Sequence, residues 1–194
     1  MYHHLAIAVR DIGRTHHFYT EVMGFTLAAA VKRQAPGGGW TKHLFYDMGD
    51  GSLIAFWDLR GLEGETLKRE DWRSGISTGL GLPGWVNHIA FQCSGRVEFE
   101  TRKQRWLDHG YHVSVVDHDF IHSCYTFDPD GNWVEWTYKK RDLDQNDRKT
   151  AEHIFSDDSP ATEPDYAVEV FKSLSQKRRF PTVEPTTPSQ RVGQ

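Results

Sequence analysis

Three residues whose side chains bind metals, His4, His88 and Glu135, lie in strand-like runs of the sequence. Side chains alternate between the two faces of a β-strand, and the faces that carry these three residues are otherwise lined largely by small residues. An ionised glutamate buried alone on such a face would lose its hydration or take up a proton, and a metal ion removes that cost. Two histidines and one carboxylate are typical of sites that hold Fe(II) with open coordination positions. We therefore predict a metal centre at these residues.

The elements that must position these residues come from an internal repeat. Each copy begins with a strand that carries one of the histidines, continues with a helix and ends in strands around an Asp-Gly hairpin turn. The opening strands read "HHLAIAVRD" and "VNHIAFQC", and the closing hairpins read "GDGSLIAFWD" and "DPDGNWVEWTY". Each copy therefore predicts the order strand, helix and three strands.

Capping residues define the predicted helix of each copy. In the first copy, Asp11 is expected to be the N-cap and Gly24 to end the helix. In the second copy, Phe99 and Trp106 are expected on the apolar side, and Gly110 ends the helix.

Composition divides the chain into five segments. Two short helices are predicted after the second repeat, and the later one, over 163–178, is expected to dock through Tyr166, Val170 and Phe171. The Pro/Thr/Gln-rich end predicts disorder. The segments are a first βαβββ module (1–57), a Gly-rich linker or lid (58–84), a second βαβββ module (85–138), a helical extension (139–180) and a tail (181–194).

The overall charge and the cysteine content exclude several classes of protein. The 194 residues carry a formal net charge of −4 without a Lys/Arg stripe, which argues against nucleic-acid partners. No apolar run is long enough to span a bilayer, and the N-terminus lacks a secretory signal. Cys93 and Cys124 lack metal-type spacing, so we interpret them as reduced thiols of a cytoplasmic protein.

With these motifs the chain resembles the vicinal oxygen chelate superfamily, which includes glyoxalase I, extradiol dioxygenases, methylmalonyl-CoA epimerases and fosfomycin-resistance thiol transferases. The matching segments are "HHLAIAVRDIGRTHHFYTEVMGF", "VNHIAFQC" and "SCYTFDPDGNWVEW". The resemblance implies an α+β fold in which two tandem βαβββ modules form a shared curved-sheet funnel, here followed by a short helical C-terminal extension. It implies a divalent metal held by His4, His88 and Glu135, and association into a homodimer.

The fourth ligand of glyoxalase I and the epimerases falls at Ala55, which cannot bind a metal. Three protein ligands leave open positions that suit a diolate together with O₂, or a phosphonate. Ala6 replaces a Thr of the thiol transferases, and Ser52 stands near the position of the acid/base His of the extradiol enzymes.

We therefore expect a dioxygenase that binds a small catechol-like substrate on Fe(II) or Mn(II), with Zn, Co or Ni as other candidate metals. The alternatives are a Lewis-acid lyase, isomerase or thiol transferase, and a drug-binding module.

Two residues are predicted to handle protons. Tyr125 lies ten residues before Glu135, and in several branches of the superfamily a Tyr at this spacing points into the funnel and hydrogen-bonds the bound group. Phe45 is its counterpart in the first module, and His43 shares the face of Phe45, so His43 is expected to face the cavity and shuttle protons. His118 and Asp119 are expected on a solvated turn before the Tyr125 strand, with the mouth of the cavity as the alternative position.

Three tryptophans are candidates for an aromatic wall beside a planar substrate, although core packing suits Trp57 better. They are Trp40, Trp57 and Trp72.

Overall fold

A computed structural model describes residues 3–35, 38–61, 72–162 and 167–175. The chain forms two compact units, and the unit boundaries fall within the second repeat. Within the described ranges, the first unit holds everything up to Ile89 together with Phe127–Val134, and the second holds Ala90–Thr126 and the chain from Glu135 onward. The predicted tail and positions 62–71 of the predicted lid lie outside the described residues.

The first repeat folds in the predicted order of strand, helix and three strands. Its sheet has the order β1-β4-β3-β2, with β1 parallel to β4 and the other neighbours antiparallel. A turn of π-helix, Phe18–Val22, continues the helix. The elements are β1 (His4–Val9), α1 (Ile12–His17), β2 (Thr26–Gln34), β3 (Trp40–Asp47) and β4 (Leu53–Arg60).

The second repeat has the same order of elements, which confirms two tandem βαβββ modules and the α+β class. Its sheet has the order β5-β8-β7-β6 and gains one further strand, β9, beside β6. The elements are β5 (His88–Gln92), α2 (Arg96–Asp108), β6 (Val113–Asp117), β7 (Ile121–Phe127) and β8 (Trp133–Lys139).

The predicted caps are present. The carboxylate of Asp11 accepts hydrogen bonds from the backbone N–H groups of Gly13 (3.0 Å) and Arg14 (3.1 Å), as an N-cap should. Gly110 follows α2 with a φ of 88°, a left-handed conformation that glycine adopts without strain. Phe99 and Trp106 of α2 are fully buried.

Where the structure describes it, the C-terminal extension contains one helix and one strand. The first predicted helix is confirmed as α3 (Gln145–Ser156), which begins at a capping box formed by Asp144 and Asp147. The predicted helix over 163–178 is wrong for its described part, because β9 (Val168–Phe171) is a strand antiparallel to β6. The segment "VEVF" is rich in β-branched and aromatic residues, and the edge of β6 offers backbone groups that a strand can pair.

Val170 and Phe171, which are predicted to dock, lie on β9, whereas Tyr166 falls outside the described residues. None of the helices in the described ranges has the length and apolar character needed to cross a membrane.

A buried turn from the second repeat is tied to the first helix of the chain. This acidic turn, residues 128–132, reads "DPDGN" and belongs to the first unit. The hydroxyl of Tyr19 donates to Asp128 (3.0 Å), and the hydroxyl of Thr15 donates to Asp130 (3.2 Å). The backbone N–H of Arg10 also donates to Asp130 (3.0 Å). Both carboxylates are thus buried against hydrogen-bond donors, as burial of a charge requires.

The acidic turn also satisfies its own polar groups. Asp128 accepts from the backbone N–H groups of Asp130 (2.9 Å) and Asn132 (2.8 Å) and from the side-chain amide of Asn132 (3.0 Å). Burial and the neighbouring charge of Asp130 raise the pKa of Asp128, and the hydrogen bonds from Asn132 and Tyr19 oppose that rise. The turn is therefore largely buried, with its carboxylates hydrogen-bonded, and it leads directly into β8.

The repeat supplies a matched pair of variants that tests this junction. Asp50 is the counterpart of Asp130, but it is exposed and accepts only a local bond from the N–H of Ser52 (2.8 Å). Asp130→Ala leaves the backbone N–H of Arg10 without this acceptor, whereas the Thr15 hydroxyl keeps the carbonyl of Asp11 (3.0 Å), so we expect the free energy of unfolding to fall by about 1–3 kcal/mol. Asp50→Ala should lower it by about 1 kcal/mol or less. Urea denaturation measures both, and equal losses would contradict the role given to the acidic turn.

Candidate functional site

The two histidines of the predicted metal centre lie on the faces that the alternation predicts. On β1, His4 is exposed whereas Val9 of the opposite face is buried. On β5, His88 is exposed whereas Phe91 of the opposite face is buried. The apolar faces therefore form the cores, and both imidazoles lie on the other side of their sheets.

The position of the missing fourth ligand is closed by packing. Ala55 on β4 is fully buried and lies in register between Ala6 on β1 and Phe45 on β3. Its methyl group supplies no donor atom, and its neighbours leave no exposed surface at this position.

His43 lies on the same face of the first sheet as His4. Its ring stacks on Trp57, with centroids 3.7 Å apart and an interplanar angle of 11°, and its centroid is 4.1 Å from that of Phe45. The His4 centroid is 5.6 Å from Phe45 and 6.4 Å from His43. This imidazole cluster, defined as His4, His43, Phe45 and Trp57, places His43 where the alternation predicts.

The surroundings of His43 favour its neutral form. Burial lowers the pKa of His43, and the charge of His4 lowers it further. The Nε2 atom of His43 is buried and has no hydrogen-bond partner within the described part of the chain. In the tautomer that leaves this nitrogen unprotonated, the neutral imidazole is able to accept a proton.

The three candidate tryptophans do not all belong to this cluster. Trp57 stacks on His43, but Trp40 has the opposite parity on β3 and packs against the ammonium groups of Lys32 and Lys42. The guanidinium carbon of Arg10 lies over the ring of Trp72, 5.0 Å from the ring centroid. A wall built from all three rings is therefore not present on the His43 face.

Glu135 is buried in the second unit, with 3% of its surface exposed. It hydrogen-bonds the hydroxyl of Tyr125, which is itself 6% exposed. Burial raises the pKa of Tyr125 to about 12; a hydrogen bond from Ser123 opposes the rise, and the Glu135 carboxylate adds to it. The phenol therefore keeps its proton at neutral pH and acts as a hydrogen-bond donor.

His118, for which a solvated turn is expected from the sequence, contacts Tyr125. It is only partly exposed, and its Nε2 atom lies 3.0 Å from the hydroxyl of Tyr125. The turn between β6 and β7 brings the ring back over β7, and Asp119 adopts a positive φ of 67° there. That backbone conformation is uncommon outside glycine, and Asp is among the residues that adopt it most often.

The donor types of the predicted metal centre fit Fe(II) or Mn(II), because two imidazoles and one carboxylate are the set that these ions accept. His4 and His88 belong to the first unit, and Glu135 belongs to the second. Within the described ranges, no group of three or more His, Cys, Asp or Glu side chains is placed to hold a metal ion. The ligand set therefore remains a proposal based on donor chemistry.

Comparison with known proteins identifies the family. The model of the Glyoxalase/Bleomycin resistance protein/Dioxygenase superfamily matches residues 2–136, so the chain belongs to this superfamily. This is the vicinal oxygen chelate class that the motifs resemble. No curated protein matches the sequence.

Solved structures with similar folds include a glyoxalase/bleomycin resistance protein/dioxygenase domain from Frankia sp. EAN1pec. It is 17% identical, with a TM-score of 0.51 over 71% of this chain and 95% of that chain. The antibiotic-binding protein TnmS3 from Streptomyces sp. CB03234 is 17% identical, with a TM-score of 0.49, and the match covers 72% of this chain and 96% of that chain. The fosfomycin resistance protein FosX from Listeria monocytogenes is 18% identical, with a TM-score of 0.46, and the match covers 75% of this chain and 94% of that chain. At these identities the likeness concerns the fold alone.

Ala55 and Ala6 form a matched pair that tests whether packing closes the fourth-ligand position. They are neighbours in register on one face of the sheet, but Ala55 is fully buried and Ala6 is exposed. Ala55→Glu forces a carboxylate into packed surroundings, so we expect it to lower the free energy of unfolding by about 3 kcal/mol or more. Ala6→Glu should change it by less than about 1 kcal/mol. Similar values for the two variants in urea denaturation would show that the Ala55 position is open.

Proposed function

We propose that the protein is a metal-dependent dioxygenase that acts on a small substrate with two vicinal oxygens, of the catechol type. His4, His88 and Glu135 would hold the metal, with Fe(II) or Mn(II) favoured over Zn, Co or Ni. The bound metal would supply Lewis acidity and adjacent open positions for the substrate oxygens and O₂.

The observation that carries the proposal is the buried carboxylate of Glu135 with its hydrogen bond to Tyr125. Carboxylates that bind metals are commonly oriented by such outer hydrogen bonds, which fix the direction of their lone pairs. Asp128 and Asp130 are buried against several hydrogen-bond donors, and a bound metal ion would neutralise the charge of Glu135 in a comparable way.

The residues around the proposed site have separate tasks. Tyr125 stays protonated because its pKa is raised, and its hydroxyl can donate a hydrogen bond to a substrate oxygen. His43 has a lowered pKa and a partner-free Nε2 among the described atoms, so it can accept a proton from the substrate. Phe45 and Trp57 offer flat apolar surface for a planar ring.

A second candidate function follows from Ser52. This residue stands near the position at which extradiol enzymes carry an acid/base histidine, and its N–H is bound to Asp50 within a turn. A Lewis-acid lyase, isomerase or thiol transferase would not need that histidine. A drug-binding module is the third alternative, and the complete set of donor residues argues against it.

The protein is proposed to act on small molecules, as a homodimer, in the cytoplasm. Its two cysteines, Cys93 and Cys124, are buried and unpaired as thiols, which suits a reducing compartment.

Removal of any one ligand should abolish stoichiometric metal binding. We expect His4→Ala, His88→Ala and Glu135→Ala to lose the ion and to keep the fold, whereas the exposed His17→Ala keeps both. The check is elemental analysis after reloading with Fe(II) or Mn(II), together with circular dichroism. The proposal fails if the wild-type protein holds no stoichiometric ion.

Turnover should consume O₂ and require the reduced metal. Tyr125→Phe should lower kcat by about 10²–10⁴-fold and leave the metal content unchanged, because only a proton-handling group is lost. An oxygen electrode and anaerobic assays across catechols measure this. Full-rate turnover under strict anaerobiosis would contradict the dioxygenase proposal and support the Lewis-acid lyase, isomerase or thiol transferase.

A further inference from the structure

Besides Ser123, the hydroxyl of Tyr125 has two polar neighbours with different hydrogen-bonding requirements. The carboxylate of Glu135 can only accept a hydrogen bond, and the imidazole Nε2 of His118 can donate or accept one, depending on its tautomer. A phenol has a single proton. If that proton is directed to Glu135, then His118 must supply a proton of its own to the phenol oxygen at 3.0 Å.

We propose that His118 is a positioning residue that carries its proton on Nε2 and donates to Tyr125, so that the Tyr125 proton stays directed at Glu135. This inference deepens the proposed function and rests on it, since Glu135 is there a metal ligand. The hydrogen bonds run in one direction, from His118 to Tyr125 to Glu135.

The chain that follows β8 fastens the turn on which His118 lies. The backbone N–H of Lys140 donates to the carbonyl of Phe120 (2.8 Å), and the ammonium group of Lys140 binds both oxygens of Asp117 (2.7 and 2.8 Å). These contacts hold the residues on both sides of His118.

Arg141 adds a link from this turn to helix α3. Its guanidinium binds Asp119 (2.6 Å) and forms a two-pronged pair with Asp147 (2.6 and 2.7 Å). Hydrogen bonds from Arg141 and from the Asp144 backbone lower the pKa of Asp147 to about 2, so the pair stays charged across neutral and mildly acidic pH. An exposed ion pair alone contributes little, but a bidentate arginine shared by two carboxylates is the geometry that does restrain a loop.

The C-terminal extension therefore helps to position His118 beside Tyr125. His118 and Arg141 line one groove beside α3. This groove has a volume of about 610 Å³, and Ile154 of α3 also lines it. His118 thus spans the space between this groove and the buried hydroxyl of Tyr125. Helix α3 and the Arg141 pair keep the imidazole at hydrogen-bond distance.

The first test uses the metal-free protein and needs no activity. Long-range ¹H–¹⁵N NMR of the imidazole rings reports which nitrogen of each histidine is protonated, with His118→Gln used for assignment. We expect a protonated Nε2 on His118, whose signals shift in Tyr125→Phe, whereas those of His122 on the same hairpin stay in place. An unprotonated Nε2 on neutral His118, or signals that Tyr125→Phe does not move, would overturn the proposal.

The second test separates positioning from simple structural support in the metal-loaded enzyme. His118→Leu removes the donor and should lower kcat by about 10–100-fold with little change in KM or metal content. His118→Gln keeps an N–H donor at similar reach and should restore most of kcat. Equal rates for wild type and His118→Leu would refute the positioning role, as would equal losses for Leu and Gln.

A variant of the extension completes the test. Arg141→Gln should shift the His118 NMR signals and lower kcat in the same direction as His118→Leu, whereas Arg148→Gln on α3 should not. If Arg141→Gln changes neither the His118 NMR signals nor kcat, the proposed role of the extension is wrong. If the NMR result is positive but the wild-type protein binds no metal, the proposed function fails and the hydrogen-bond direction stands.

Discussion

The rest of the structure depends on the burial of two carboxylates in one turn. Asp128 and Asp130 lie in the interior, and such groups are tolerated only when donors saturate them. The donors come from Tyr19, Thr15 and the backbone at Arg10, more than one hundred residues earlier in the chain. The turn therefore joins the first unit, although its sequence belongs to the second repeat. It also fixes the start of β8, the strand that carries Glu135.

The two repeats share a fold and differ in chemistry. The same strand position holds Ala55 in one copy and Glu135 in the other, and both are buried. Each is matched to a neighbour: Ala55 lies beside Phe45, and Glu135 hydrogen-bonds Tyr125. An acid at a buried strand position needs a donor close by, and the second copy provides one. Membership of the superfamily accounts for the shared fold, whereas the differences between the copies carry the argument on function.

Long-range hydrogen bonds also explain how the segment after the repeats contributes to the structure. A charged helix and a short edge strand bury little apolar surface, and α3 has no buried residue among its twelve. Its contribution lies in Arg141 and Asp147, which restrain the turn beside His118. The strand β9 covers the backbone edge of β6, which would otherwise be open to pairing with another chain.

The sequence by itself determined the features that follow from local rules. Alternation assigned His4, His88 and His43 to their faces, and the cap at Asp11 and the glycine at Gly110 marked helix ends, because these signals act within a few residues. Only the tertiary structure revealed the His118–Tyr125 contact and the strand at Val168–Phe171. It alone also assigned the acidic turn to the first unit. These features depend on which backbone edge or buried donor a segment meets after folding, and a local pattern carries no record of that partner.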